Sequence, residues 1–78
     1  MTAKNRLRAM DLFVTLERAF RSRTRNCKTC SFSLPYRVDT GSGANWAVIP
    51  AATCSESCRL LLDEVVSEHQ EIYALADG

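Results

Sequence analysis

From residue 4 to residue 21 apolar side chains recur at spacings of three and four. Leu7, Met10, Phe13, Val14, Leu16 and Phe20 share one stripe, while Arg6, Arg8, Glu17, Arg18 and Arg21 fall mostly off it. That period turns one side of a helix toward a core, so the pattern predicts an amphipathic helix over 4–21, with Thr2 as its cap. Residues 22–26, Ser-Arg-Thr-Arg-Asn, form a polar, basic connector. After Cys30 the period shortens to two: Phe32, Leu34, Tyr36 and Val38 alternate with Ser33, Pro35, Arg37 and Asp39. The alternation predicts a half-buried strand, and Pro35, which has no N–H to give, predicts that it lies at an edge. Residues 39–45 read as a loop around Gly41 and Gly43, and Trp46-Ala47-Val48-Ile49 as a returning strand that Pro50 stops. Thr53-Cys54-Ser55-Glu56 has the form of a capping box, so a long helix is expected from Cys54 to about Leu75. Leu61, Leu62, Val65, Ile72, Tyr73 and Ala76 line one side of it. At 1.5 Å per residue this helix is about 33 Å long, more than a hairpin can cover, so its far half needs a second surface. The first helix, or another copy of the chain, would supply it.

The expected fold is therefore α+β: an N-terminal helix, a cysteine knuckle, a β-hairpin and a long C-terminal helix. Seventy-eight residues make one small domain, whose hydrophobic core alone leaves it marginal. We divide it into a helical extension (1–26) and a metal-binding module (27–78). The composition, 46% hydrophobic and 24% charged with three Gly and two Pro, excludes a disordered or low-complexity chain. Apolar runs of three or four residues are too short to span a membrane. Met1–Arg6 is followed by Arg8 and Asp11 instead of an apolar stretch, which reads as no secretory leader and leads to an expected cytoplasmic setting.

Cys27 and Cys30 form a C-x2-C pair; Cys54 and Cys58 form a C-x3-C pair on one side of the second helix. Two disulfides suit an oxidising compartment, which the expected setting is not. A redox C-x-x-C requires a helix after it, where the sequence predicts a strand. A structural Zn2+ accounts for all four thiols at once as a closed tetrahedral S4 site, so Cys27, Cys30, Cys54 and Cys58 are the expected metal ligands. Knuckle, hairpin and ligand-bearing helix in this order resemble the treble-clef zinc fingers over residues 27–62. Cys27-x2-Cys30 followed by Cys54-Ser55 resembles the FCS-type members, with Thr53 in place of their Phe and a gap one residue longer. The resemblance implies a zinc-binding scaffold used for nucleic-acid binding, for protein adaptors or for structure alone.

His69, eleven residues beyond Cys58, lies about 16 Å further along the helix and is not an expected ligand. No triad, paired catalytic acids or phosphate loop is present in the sequence, and Gly41-Ser42-Gly43 reads as a turn. Neither an enzyme nor a small-molecule substrate is expected. Charge is uneven: residues 1–38 carry nine Lys or Arg against two acids, and residues 39–78 carry one against seven. Arg18, Arg21, Arg23, Arg25, Lys28 and Arg37 could form a basic strip for nucleic acid around residues 18–28. Alternatively these side chains balance the thiolates and the acidic second helix. Met10, Phe13, Phe20, Ile72 and Tyr73 are candidates for contact with another protein or a second copy. With a formal net charge of only +1, the favoured reading is a non-enzymatic, zinc-binding, regulatory interaction module. A nucleic-acid-binding zinc finger is the alternative.

Overall fold

A computed structural model describes residues 4–24, 26–39 and 43–76. Their order is β1 (Asn5–Leu7), α1 (Ala9–Arg23), β2 (Tyr36–Arg37), β3 (Trp46–Ala47), α2 (Glu56–Ile72) and β4 (Tyr73–Leu75). The result is a small α+β fold in which two helices accompany two two-stranded sheets among the described residues. β2 and β3 are the expected antiparallel hairpin. The second sheet was not expected: β1 runs parallel to β4, with Asn5 opposite Tyr73 and Leu7 opposite Leu75.

This pairing explains where the helices depart from the sequence pattern. The predicted first helix loses residues 4–8 to β1 and to Arg8, an extended N-cap residue (φ −69°, ψ 157°) that makes no side-chain cap bond. The expected Thr2 cap lies outside the described residues. At the other end α2 stops at Ile72, where Tyr73 turns extended (φ −121°, ψ 148°) while its N–H still reaches the His69 carbonyl. Its start also moves. Ser55 is the N-cap, its hydroxyl accepting from the Cys58 N–H, so the predicted Thr53–Glu56 box does not form. The Thr53 hydroxyl donates instead to the Thr29 carbonyl, tying the knuckle to the approach of α2.

The hairpin contains a one-residue irregularity. Phe32 bridges to Pro50, whereas Tyr36 pairs with Ala47, so four steps on the first strand meet three on the second. The extra residue, at Leu34-Pro35, is a bulge, and a bulge reverses which side later residues face. Phe32 and Pro35 are buried, while Leu34 and Tyr36 are exposed. The predicted alternation of Phe32, Leu34 and Tyr36 on one buried face is thus corrected.

Leu12, Leu16, Phe20, Trp46, Leu62 and Val65 are fully buried. The centre of the α1 stripe is Leu12-Leu16-Phe20, flanked by Ala9, Phe13 and Ala19, while Met10 and Val14 face outward. The N-terminal helix, expected as an extension, therefore shares one core with the hairpin and α2. Phe32 closes it from the knuckle side, 5.0 Å from the Phe13 ring and 6.3 Å, edge-on, from Phe20. α1 packs against α2 while β1 pairs with β4, which replaces the end of the predicted helix, and together they supply the second surface the sequence required.

Asn45 joins the two sheets. Its side chain accepts from the Leu75 N–H (2.8 Å) and donates to the Leu75 carbonyl (3.1 Å), the bonds a neighbouring strand would make. Beside it the Trp46 indole donates to the Tyr73 carbonyl at 3.1 Å, and Gln70 donates to the Trp46 carbonyl at 2.7 Å. These satisfied polar groups allow an indole to sit fully buried. Gly43 at the hairpin tip has φ 96°, a left-handed conformation suited to glycine, and its carbonyl accepts from Lys4.

Candidate functional site

The four cysteines do converge where the two pairs were expected to meet, at the loop after α1 and the start of α2, although only Cys58 lies in the helix and Cys54 precedes its cap. Their chemistry differs from the expectation. Cys27 is bonded to Cys58 and Cys30 to Cys54, two nested disulfides with no free cysteine remaining. The structural Zn2+ assigned to Cys27, Cys30, Cys54 and Cys58 is therefore withdrawn. A metal is held by thiolate, and each sulfur here is already covalently bonded to another. Among the described residues no group of three or more His, Cys, Asp or Glu is disposed to hold a metal ion. The sequence lacks the information to separate the two outcomes, because spacing that gathers four sulfurs serves either.

Arg21 organises the loop that carries the first pair. Its guanidinium donates to the carbonyls of Cys27 and Cys30, each at 2.6 Å, while Nε donates to Glu17 one turn back at 3.0 Å. The same group lies 5.3 Å from the centre of the Phe20 ring. A planar fork is suited to two carbonyls at once, and here one charged side chain satisfies two acceptors that the tight turn holds together. The turn is also closed by the Cys30 N–H on the Cys27 carbonyl, at 3.2 Å. Thr24, at the end of α1, donates its hydroxyl to Cys27 Sγ at 3.1 Å. Arg21, Thr24, Cys27 and Lys28 line an open depression of about 650 Å³. Cys54 Sγ rests 3.3 Å from the Ser31 carbonyl on the other side of the knuckle.

The expected basic strip is divided among several tasks. Arg21 is committed to the knuckle. Arg23 pairs with Glu68 across the helices. That hydrogen bond, before any other cause, holds the Glu68 carboxyl below its ordinary value and raises Arg23. Arg25 lies outside the described residues. Arg18 and Lys28 are exposed, and Arg37 is exposed on the hairpin. Trp46 is buried and cannot stack on a base. His69 reaches the Val65 carbonyl through Nδ1 at 2.7 Å and stacks on Tyr73, with centroids 6.0 Å apart.

Of the apolar partner candidates, Phe20 belongs to the core, and Phe13 and Tyr73 pack against it. Met10 and Ile72 remain exposed. A set the sequence pattern hid lies on the hairpin: Leu34 is 48% exposed, Tyr36 42% and Ile49 58%. Tyr36 sits across from Ala47, and Ile49 shares that side by alternation, opposite to buried Trp46. Only the bulge reveals this. No helix among the described residues is long and apolar enough to cross a membrane. No protein-family model, curated protein or solved structure matches this chain.

Proposed function

We propose that this chain is a small non-enzymatic interaction module, an accessory or regulatory protein that contacts another protein through the outer side of its hairpin. The observation that carries the reading is the exposure of Leu34, Tyr36 and Ile49 together on a surface whose backbone is fixed from behind. The Cys30–Cys54 bridge and the Asn45–Leu75 bonds hold the two ends of that hairpin. Rigid presentation lowers the ordering cost of association, and tyrosine is among the residues enriched at the energetic centre of contacts. Since disulfides persist in oxidising surroundings, the proposal takes that setting in place of the cytoplasmic one. The commitment of Arg21 and Arg23, the middle of the expected basic strip, to internal partners favours protein over nucleic acid as the target.

Substitution of both Tyr36 and Ile49 by Ser tests the reading, since neither side chain belongs to the core. The double variant is expected to keep the wild-type melting temperature and to lose a discrete partner that co-purifies at fixed stoichiometry with the wild type. Met10→Ser is expected to retain it. Equal retention of that partner by the hairpin variant overturns the proposal. So does sedimentation and co-purification showing the wild type to be a strict monomer with no partner.

A further inference from the structure

We propose that the Cys27–Cys58 bridge is a thiol-exchange site for a small anionic thiol, with Cys27 as the sulfur that is attacked. Cys27 stands in the wall of the depression formed with Arg21, Thr24 and Lys28, while Cys58, Cys30 and Cys54 do not line it. A nucleophile arriving there meets Cys27 before Cys58, the sulfur that would leave, because of the two only Cys27 borders the depression. The Thr24 hydroxyl fixes the attacked sulfur in place. About 650 Å³ of open space admits a small peptide-sized thiol.

Charge chooses among thiols. Glu17 offsets the Arg21 guanidinium through their ion pair, whereas exposed Lys28 makes no ion pair among the described residues. The mouth of the depression therefore attracts an incoming thiolate, and more strongly one that bears a carboxylate as well. The leaving sulfur is favoured too. Cys58 is the third residue of α2, after the Ser55 cap, where the positive end of the helix stabilises a departing thiolate.

The step balances without an external oxidant. The thiolate RS⁻ gives its electron pair to Cys27 Sγ, the Cys27–Cys58 bond breaks, and the pair leaves on Cys58 Sγ, which takes a proton from water. The products are a mixed disulfide RS–S–Cys27 and a Cys58 thiol. Return of the Cys58 thiolate onto Cys27 expels RS⁻ and restores the bridge. Throughout, Cys30–Cys54, neither of whose cysteines lines the depression, keeps the knuckle tied to the approach of α2.

The test compares three thiols at equal thiolate concentration: glutathione (net anionic), 2-mercaptoethanol (neutral) and cysteamine (cationic). Exchange is quenched in acid, free thiols are alkylated, and the adducts are located by peptide mass spectrometry. The expected first product carries glutathione on Cys27 and the alkyl group on Cys58, with Cys30–Cys54 intact. Glutathione should react about three- to ten-fold faster than cysteamine, a preference that salt weakens and Lys28→Glu reverses. Lys28 is exposed, so that variant folds. A first adduct on Cys30 or Cys54, no exchange at all, or an unchanged order of rates in Lys28→Glu would each overturn the proposal.

Discussion

Arg21 and Arg23 are two residues apart in the same basic run, yet the fold gives them opposite importance. Arg21 is one-third exposed and serves two carbonyls of the knuckle. Removing it leaves both acceptors without their partner, so Arg21→Ala is expected to cost about 2–3 kcal/mol in urea denaturation. Arg21→Lys should recover only part of that, because an ammonium cannot span both carbonyls as a fork does. Arg23 and Glu68 form an ion pair at the surface, where screening keeps the effect small. Its sign is nevertheless fixed. Because the folded-state Glu68 carboxyl titrates below its ordinary value, the pair's contribution is complete above the ordinary carboxylate range. It is lost as pH falls through the lowered value. Glu68→Gln should therefore lower the melting temperature slightly at neutral pH and leave it unchanged in strong acid. A variant as stable as wild type at neutral pH and low salt would show the pair to be inert. No pattern of spacing separates these two arginines, since what distinguishes them is a backbone turn formed by residues downstream.

Element boundaries depend on contacts between distant segments, and the sequence was legible up to that limit. Both helices, the hairpin and the meeting of the cysteine pairs follow from local periodicity and spacing. β1, β4 and the bulge do not. Tyr73-Ala74-Leu75 continues the helical pattern of α2 and becomes a strand because Asn5–Leu7 on one side and Asn45 on the other take its backbone groups. Pro35 marked the irregular position, but a proline in a strand is compatible with an edge or with a bulge, and only the paired strand distinguishes them. Asn45 read as a loop residue. Its part in joining the sheets predicts that Asn45→Ala costs about 2 kcal/mol, the loss of two bonds to a half-buried backbone. Amide hydrogen exchange should localise the damage, with Leu75 and Ala76 exchanging much faster while the middle of α2 stays protected. Uniform loss of protection, or none, would remove Asn45 from this role. At the head of α2, Ser55→Ala should cost about 1 kcal/mol through the lost cap, whereas Thr53→Ala should not fray the helix start.

For the molecule as a whole, the nesting of the two bridges matters more than their number. Cys30–Cys54 spans 24 residues and Cys27–Cys58 spans 31. Taken alone, either loop constrains the unfolded chain by about 3.5 kcal/mol on the loop-entropy account. Together they do not contribute twice that. Once the inner bridge exists, the outer one closes only the short ring of about seven residues that remains, worth about 2.4 kcal/mol. Replacing one pair of cysteines by Ser should thus cost about 2–2.5 kcal/mol and leave a folded chain. Replacing both should cost about 6 kcal/mol, more than the sum of the single losses. For a domain of this length, whose total stability falls at about 4–12 kcal/mol, the first change is tolerable and the second removes half of the margin or more. Urea titrations of the two paired variants and of the quadruple variant measure the difference directly. Strict additivity would mean that the bridges act on independent loops or chiefly through native contacts, which the order Cys27, Cys30, Cys54, Cys58 and an entropic origin together forbid. The same asymmetry lets an outer bridge open by exchange at Cys27 without unfolding the hairpin, because the inner one alone retains more than half of the combined constraint.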